Sequence, residues 1–405
     1  MAHEDIRRRG FKDRTRLDSA RSRLRDRVAP HDRTERVALE AADGRVTAID
    51  VTAQRNVPDY RRAAMDGYAV RAEDTFGASR QTPVELLVDN ELTPGTAVRV
   101  HTGSEVPSDA TAVVMIEDVE QHDGRLDVFD PVGGGENIGD VGEDVAEGME
   151  IVPAGTRLRP SDLGLLKSVG RSRVTVWERP EVAVIPTGEE LVQTDPNPGE
   201  VIETNGLTVS RLVTRWGGDP TYRSIVTDNR EALRAAIERD LDRDIVVTTG
   251  GSSVGERDLV PEIVEDLGDV LVHGVALKPG HPVALGIVEN TPVIMLPGYP
   301  VACIINAVQF LRPAMFWNMD VDVPPIPTVG AVLDEKLRSE AGHRTFARVT
   351  IDRTEDGMTA TPVRASGSGI LSSVTSADGW VEVPEPREGY AAGERVTVQF
   401  WEDVR

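Results

Sequence analysis

A glycine-rich run that also carries hydroxyl side chains follows an apolar stretch in the middle of the chain. Residues Thr248 to Asp258 (TTGGSSVGERD) contain three glycines, two threonines and two serines. Backbone N–H groups and hydroxyls in such a run can approach a phosphate or an oxyanion at the start of a helix. The spacing is that of neither a dinucleotide fingerprint nor a P-loop. The run is either an anion-binding loop or a tight connection in which Asp258 caps a helix. The candidate ligands are Thr249, Gly250, Gly251 and Ser252.

A lysine in a rigid turn is the second candidate for anion binding. The chain has only four lysines, and Lys278 lies in the segment ALKPGHP, where a proline and a glycine fix the direction of the backbone. A compact point charge in such a turn suits a phosphate. The alternative is a surface lysine whose stem covers apolar side chains. His281, three residues further on, is either an additional donor or a solvent-facing turn residue.

Several acidic residues occupy turn-like settings. Two carboxylates about 4 Å apart repel each other by roughly 4 kcal/mol at an effective dielectric near 20, so a converging set requires a cation. Oxygen ligands favour Mg²⁺, which commonly bridges one or two carboxylates to substrate phosphates. Taken singly, each acid is equally consistent with a solvated turn in a chain of 68 acids. The candidates are Asp66, Asp144, Glu190, Asp228 and Asp258.

Alternating strand and helix patterns between residues 179 and 322 must position most of these groups. They predict a doubly wound α/β domain with a mainly parallel sheet. Ligands bind such sheets beyond the carboxyl ends of the strands. Four loops should therefore meet along one edge: Pro186 to Leu191, Thr227 to Asn229, Thr248 to Asp258, and Leu296 to Pro300.

The flanking segments follow other patterns. Residues 14–29 place apolar side chains on one narrow helical face, which predicts an exposed amphipathic helix that packs on a partner. Many turn signals between short valine-rich runs predict a β-rich insert at 56–145. Prolines near residue 325 indicate a linker, and the short alternating runs after it predict a small β domain over 323–405.

Composition excludes several classes of protein. The chain has 405 residues and a formal charge of −23, which disfavours binding to nucleic acid or to anionic membranes. Cys303 is the only cysteine, so there is no intrachain disulfide and no cysteine-built metal site. No run approaches the roughly 18 apolar residues of a membrane span. We therefore expect a cytoplasmic protein. The excess of acids over lysines favours a halophilic cytoplasm, and the alternative is an ordinary acidic protein with an arginine bias.

Seven motifs in register, spread over nearly the whole chain, resemble those of the molybdopterin molybdenumtransferases, the MoeA and gephyrin E-domain family. They are AAMDGYAV (63–70), HTGSEVP (101–107), GED (142–144), PTGEELV (186–192), TTGGSSVGERD (248–258), ALKPGHPVALG (276–286) and LPGYPVA (296–302).

The resemblance implies an α/β multidomain fold and a homodimer. Besides the α/β domain (179–322), the β-rich insert (56–145) and the C-terminal β domain (323–405), it implies a discontinuous N-terminal domain over 1–55 and 146–178. It also implies the reaction: molybdate is inserted into adenylylated molybdopterin with release of AMP, in a Mg²⁺-dependent step. Contacts with a molybdopterin adenylyltransferase or with apo-molybdoenzymes are further implied partners.

Site residues can be transferred position by position on the same resemblance. Glu190, Asp228 and Asp258 would bind metal or position the adenylate, and Asp66 and Asp144 would reach in from the partner subunit. Lys278 would hold phosphate or oxyanion. The remaining ligand-binding or cleft positions are Thr102, Pro297, Gly298, Pro300 and Ser368.

Three residues depart from the family pattern. His281 stands where lysine is common, Tyr299 where asparagine usually follows LPG, and Gly206 where serine is frequent. Two other functions stay open: a non-catalytic scaffold that binds molybdopterin, and the preceding step, adenylylation of molybdopterin. The sequence does not choose between molybdate and tungstate, since the two oxyanions share charge and shape.

Overall fold

The computed structural model of the chain describes residues 14–250, 259–355, 357–363 and 369–402. The chain forms two compact units. One is Thr34–Trp177, and the other is built from the flanking segments Met1–Arg33 and Glu178–Arg405. None of the helices within the described ranges is long and apolar enough to cross a membrane.

Helix α1 (Leu17–Arg25) presents one apolar face to the core of the flanking-segment unit. Leu17, Ala20 and Leu24 are fully buried there. Arg27 just after the helix pairs with Asp269 at 2.9 Å. The prediction of an exposed helix that packs on a partner is therefore wrong. An amphipathic pattern shows that one face is covered, and here the chain's own core covers it.

The unit Thr34–Trp177 is rich in strands, as predicted for its central part. The strands are β1 (Thr34–Ala38), β2 (Val51–Thr52), β3 (Arg62–Ala63), β4 (Gly67–Val70), β5 (Val84–Val88), β6 (Thr96–Val100), β7 (Ala112–Met115), β8 (Val119–His122), β9 (Arg125–Val128), β10 (Ile138–Gly139), β11 (Glu150–Val152) and β12 (Arg173–Trp177), with helix α2 at Pro160–Ser168. The largest sheet of the unit has the strand order β7-β4-β6-β5-β9-β8 and lies within residues 67–128. Strand β1 pairs with β12, so the two ends of the unit are joined. The predicted boundaries of the discontinuous domain stay predictions.

The α/β part of the second unit has a six-stranded sheet with the order β16-β13-β17-β21-β20-β18. The first four strands are mutually parallel, and β20 is the one strand of this sheet that runs in the opposite direction, since it pairs antiparallel with both β21 and β18. The mainly parallel fold is thus confirmed. Its strands are β13 (Glu181–Pro186), β14 (Leu191–Val192), β15 (Val201–Ile202), β16 (Asp219–Tyr222), β17 (Ile245–Thr249), β18 (Gly268–His273), β19 (Leu277–Lys278), β20 (Ala284–Val288) and β21 (Thr291–Leu296). Its helices are α3 (Asn205–Trp216), α4 (Arg230–Arg239), α5 (Leu259–Leu267), α6 (Pro300–Asn306) and α7 (Arg312–Asn318), with a π-helix (Ala307–Leu311) between the last two.

Near its C-terminus the chain forms a small closed barrel. Strands β24, β25, β22, β28 and β26 pair in a ring, since β26 also pairs with β24. Short β19 of the α/β part adds to this sheet beside β24. The elements are β22 (Thr328–Leu333), β23 (Leu337–Arg338), β24 (Arg344–Thr354), β25 (Gly357–Pro362), α8 (Ser372–Thr375), β26 (Gly379–Val383), β27 (Gly389–Tyr390) and β28 (Arg395–Gln399). The predicted C-terminal β domain is confirmed.

A buried carboxylate at the end of α4 anchors this helix to the sheet. The Asp240 side chain is 0% exposed and is paired with Arg223 and Arg239. Burial acts to raise the pKa of Asp240, but the hydrogen bonds from Arg239 and Arg223 outweigh it, so the pKa lies below its ordinary value. The pair therefore stabilises the fold when Asp240 is ionised.

Asp240→Asn should lower the free energy of unfolding by about 2–3 kcal/mol at pH 7. Breaking a buried pair costs about 3–5 kcal/mol, and the two arginines are partly exposed, which reduces the loss. Since the folded-state pKa is below the unfolded value of about 3.9, the difference should shrink as the pH falls below 4. Urea unfolding of the wild type and the variant at pH 7 and below pH 4 measures this difference in the free energy of unfolding. The exposed pair at Asp269 provides the control, Asp269→Asn, which should cost under about 1 kcal/mol.

Candidate active site

The carboxyl ends of β13, β17 and β21 lie side by side, as their parallel pairing requires. The N–H of Gly250 donates to the carbonyl of Leu296 at 3.1 Å. A methyl group at Gly250 would lie 2.2 Å from the carbonyl oxygen of Thr187, and one at Gly298 would lie 3.6 Å from the Cα of Gly250. With a φ of +137°, position 250 needs glycine. Three of the four loops thus meet at one edge, as predicted.

The fourth loop is tied to the same edge. The N–H of Gly188 donates to the carbonyl of Val226 at 3.1 Å. The side-chain oxygen of Asn229 accepts from two N–H groups in the first turn of α4, both at 3.0 Å. Asp228 lies between these two anchor points and is half-buried, whereas Glu190 is exposed on the loop after β13. The structure therefore places both predicted acids on neighbouring loops.

The start of α3 provides residues that sequence reasoning missed. Glu203 is buried, accepts from the N–H of Gly206 at 2.5 Å and also accepts from the Tyr222 hydroxyl. The Asn205 amide donates to the carbonyl of Gly298 at 2.7 Å. The start of α3 is thereby attached to the loop after β21. An acid three residues before Gly206, at the start of a helical pattern, is the signal that could have indicated a capping role.

The departure at Gly206 has a steric cause in this chain. A methyl group at Gly206 would lie 2.6 Å from Cε2 of Tyr222 and 2.8 Å from Cγ of Pro186. We expect Gly206→Ser to lower the free energy of unfolding by about 1–3 kcal/mol, because added atoms have no room here. Thermal or urea unfolding measures the loss.

Gly330→Ser is the matched control for this change. A methyl group at Gly330 meets nothing within 4 Å, so the same substitution there should leave stability nearly unchanged. Adding Tyr222→Ala to Gly206→Ser should reduce the steric cost. Equal stability of the Gly206→Ser and Gly330→Ser proteins would contradict this prediction, because it would show that the backbone at the start of α3 shifts to accommodate the serine without a loss of stability.

Three threonine hydroxyls are buried at the same edge. Thr187, Thr248 and Thr249 are each 1% exposed, and their hydroxyls have no hydrogen-bond partner among the described residues. A buried polar group without a partner costs about 1–3 kcal/mol, so such groups at strand ends point to a ligand or an ordered water. Only Thr249 was a predicted ligand. The hydroxyls of Thr187 and Thr248 add to it.

The turn with Lys278 lies at this edge as well. It leads into β20, whose first residue, Ala284, pairs with Met295 near the carboxyl end of β21. The Lys278 ammonium forms an ion pair with Glu340, and their side chains are 38% and 62% exposed. Glu340 was not predicted, because it lies 62 residues further along the chain. The Glu340 carboxylate therefore already pairs with the ammonium group that an anionic ligand would bind.

His281 carries no charge at neutral pH. Burial lowers its pKa to about 4, and the neighbouring charges of Arg14, His343 and Lys278 act in the same direction. A family member with lysine at this position would carry one more permanent positive charge. Lys278 is thus the permanent cation of this turn.

In the unit Thr34–Trp177 the structure joins two predicted residues. The Asp66 carboxylate accepts from the N–H of Thr102 at 2.7 Å and from its hydroxyl at 2.9 Å. These hydrogen bonds lower the pKa of Asp66 below its ordinary value, and the bond from the backbone N–H has the larger effect. Asp144 is exposed, and its N–H donates to the carbonyl of Val57 at 3.0 Å.

The other predicted residues are placed as follows. Pro297 is buried, and Pro300 begins α6. Cys303 is a buried free cysteine whose pKa is raised by burial, so it is a core residue. Four predicted residues lie outside the described part of the chain: Gly251, Ser252, Asp258 and Ser368.

The acids of this edge carry oxygen donors of the kind that bind a divalent cation. Within the described ranges no group of three or more His, Cys, Asp or Glu side chains could hold a metal. Mg²⁺ commonly takes only one or two carboxylates and completes its shell with water and substrate phosphates. Glu190 and Asp228 therefore fit such a site in the chemistry of their oxygen donors.

Comparison with known proteins covers most of the chain. Residues 15–170 match the MoeA N-terminal region (domains I and II), residues 183–317 match a probable molybdopterin binding domain, and residues 330–401 match the MoeA C-terminal region (domain IV). A molybdopterin molybdenumtransferase of Bacillus subtilis is 33% identical over 90% of this chain and 89% of its own. Molybdopterin molybdenumtransferase 2 of Mycobacterium tuberculosis is 34% identical over 90% and 94%.

A solved structure agrees with these matches. The molybdopterin biosynthesis moeA protein from Pyrococcus horikoshii superimposes with a TM-score of 0.84 at 32% identity, covering 96% of this chain and all of that one. The three domain matches follow one another along the chain in the order of the family. The chain aligns with most of the length of the Bacillus subtilis enzyme and shares the fold of the solved moeA protein. The chain therefore belongs to the MoeA family.

Proposed function

We propose that this chain is a molybdopterin molybdenumtransferase that inserts molybdate into adenylylated molybdopterin and releases AMP. The observation that carries the proposal is the edge of the α/β sheet, where four loops with acids, amides and hydroxyls meet in a chain that matches the family throughout. Both substrates are anions. A chain with a net charge of −23 can hold them only where local groups reverse its field.

The proposed anion-holding groups are the amides of the predicted ligands Gly251 and Ser252, the buried threonine hydroxyls and the Lys278 ammonium. The hydroxyls and amides would orient phosphate oxygens without adding charge. Lys278 would supply the charge-assisted hydrogen bond, after exchanging Glu340 for the substrate.

Mg²⁺ is part of the proposal. Glu190 and Asp228, together with Asp258, would hold it. When bound, the ion would stabilise the charge that develops as the phosphoanhydride bond breaks. The proposal also includes a homodimer in which Asp66 and Asp144 of one subunit serve the other. In this arrangement Thr102 would keep Asp66 ionised, as its two hydrogen bonds favour the carboxylate.

The direct test incubates the purified chain with adenylylated molybdopterin, molybdate and Mg²⁺ in concentrated salt. AMP release and formation of molybdenum cofactor, both dependent on molybdate and Mg²⁺, are expected. The same assay with tungstate measures the choice of oxyanion, and sedimentation measures the dimer.

Two other outcomes would contradict the proposal. Tight binding of molybdopterin without AMP release would identify a scaffold. ATP consumption with molybdopterin, in the absence of molybdate, would identify an adenylyltransferase.

A further inference from the structure

We propose that Asn306 is a positioning residue that fixes the turn carrying Lys278 and His281 to helix α6, and thereby sets the affinity for the anionic substrate. The inference rests on the proposed function of Lys278 as an anion ligand. Asn306 lies at the end of α6, the helix that follows the loop after β21.

The amide of Asn306 joins two backbone segments. It donates to the carbonyl of Gly280 at 2.9 Å and to the carbonyl of Ala302 at 2.8 Å. Gly280 lies between Lys278 and His281, whereas Ala302 belongs to α6 itself. The side chain is 0% exposed, so water does not compete for these bonds. The turn is therefore held to one specific point of the helix.

The backbone of Gly280 also packs closely against Asn306 and α6. Gly280 has a φ of +116°, and a methyl group there would lie 2.3 Å from the Asn306 nitrogen and 3.3 Å from the carbonyl oxygen of Ala302. The turn can thus approach the helix only because residue 280 is glycine and residue 306 donates hydrogen bonds. A small displacement of Gly280 would move both Lys278 and His281.

The packing of helix α6 alone does not account for an asparagine at this position. Its neighbours in α6 and in the π-helix are buried apolar residues, including Ile305 and Ala307. The Oδ1 atom of Asn306 is buried without a hydrogen-bond partner among the described residues. A leucine, which has the same number of side-chain heavy atoms, would avoid that cost, but it would leave the Gly280 carbonyl without this donor. The asparagine is thus consistent with a requirement to hold the Gly280 carbonyl.

The chain contains a matched control. Asn318, at the end of α7, is also buried, also donates to a single carbonyl outside its helix, that of Ala29 at 3.1 Å, and also leaves its Oδ1 without a partner within the described residues. Ala29 follows α1 and does not belong to the anion-binding turn. Asn306→Leu and Asn318→Leu therefore remove the same kind of interaction, and only one of them releases the turn.

The experiment compares these two variants in the full-length protein by two readouts. Asn306→Leu should raise the KM for the anionic substrate that Lys278 binds about tenfold and change kcat less than twofold, whereas Asn318→Leu should change neither. NMR titration of the His281 ring between pH 7 and pH 4 is the second readout. Release of the turn should move the pKa of His281 from about 4 towards its ordinary value in the Asn306 variant only.

Asn306→Ser provides a second variant if the leucine protein does not fold. Its hydroxyl can still donate to the Ala302 carbonyl four residues earlier, but it lacks the length of the amide. It should show the same KM and NMR changes. Equal KM values and an unchanged His281 titration in both Asn306 variants would overturn the inference. If the wild-type chain releases no AMP, the proposed function fails, and the His281 titration still decides whether Asn306 fixes the turn.

Discussion

Lys278→Ala should raise the KM for one of the two anionic substrates roughly 10- to 150-fold while kcat changes little. A hydrogen bond to a charged group contributes about 1.5–3 kcal/mol, which corresponds to this range. The neutral His281 cannot compensate for the lost charge, since its pKa is about 4. Steady-state kinetics of AMP release, with each substrate varied in turn, identifies which anion Lys278 binds.

Glu340→Gln changes the charge of the same ion pair from the other side. It removes the carboxylate that occupies the Lys278 ammonium, so the KM for the same substrate should fall. Exposed pairs contribute up to about 1 kcal/mol, and the decrease should therefore be at most about fivefold. Lys336→Ala is the control for Lys278→Ala, because Lys336 is exposed and lies between strands β22 and β23, outside the turn that carries Lys278. Equal effects of Lys278→Ala and Lys336→Ala would mean that only the overall charge of the chain matters.

The meeting of the loops was predictable because it follows from local patterns and one rule of topology. Apolar runs of five or six residues each end at a turn, as in β13, β17 and β21. Parallel strands that alternate with helices necessarily place their carboxyl ends at one edge. The sequence therefore predicts which residues meet there without any knowledge of side-chain contacts.

The residues that hold the loops in place were not predictable in the same way. Asn205 contacts a carbonyl 93 residues away, and Asn306 contacts one that lies 26 residues earlier in the chain. A buried helical pattern predicts an apolar side chain at position 306, since nothing local indicates a backbone carbonyl beside it. Contacts of this kind depend on how helices and turns pack, and packing is not encoded by periodicity.

Charge could be predicted only in part. The scarcity of lysine directs attention to Lys278, yet counting residues suggests a more positive turn than the structure contains. Glu340 pairs with the lysine, and His281 stays neutral because it is half-buried near other cations. The protonation state of a histidine depends on its environment, which the sequence does not contain.

Asp228→Asn should lower kcat for AMP release by about 10²- to 10³-fold with little change in stability. The substitution keeps the shape of the side chain and removes only its charge. A backbone hydrogen bond at Val226 and the side-chain cap of Asn229 anchor the loop on both sides, so the loop should keep its place. Stabilisation of developing charge by a bound cation amounts to several kcal/mol, and a missing carboxylate ligand would forfeit much of it.

Asp242→Asn is the matched control for this charge change. Its side chain is 71% exposed and faces Arg243 at 3.5 Å, so its loss should leave kcat within twofold of the wild type. The Asp228 variant should also need more Mg²⁺ for half-maximal rate, because one proposed ligand of the ion is gone. A normal kcat with an unchanged Mg²⁺ requirement would remove Asp228 from the proposed metal site and leave the role to the other acids of the edge.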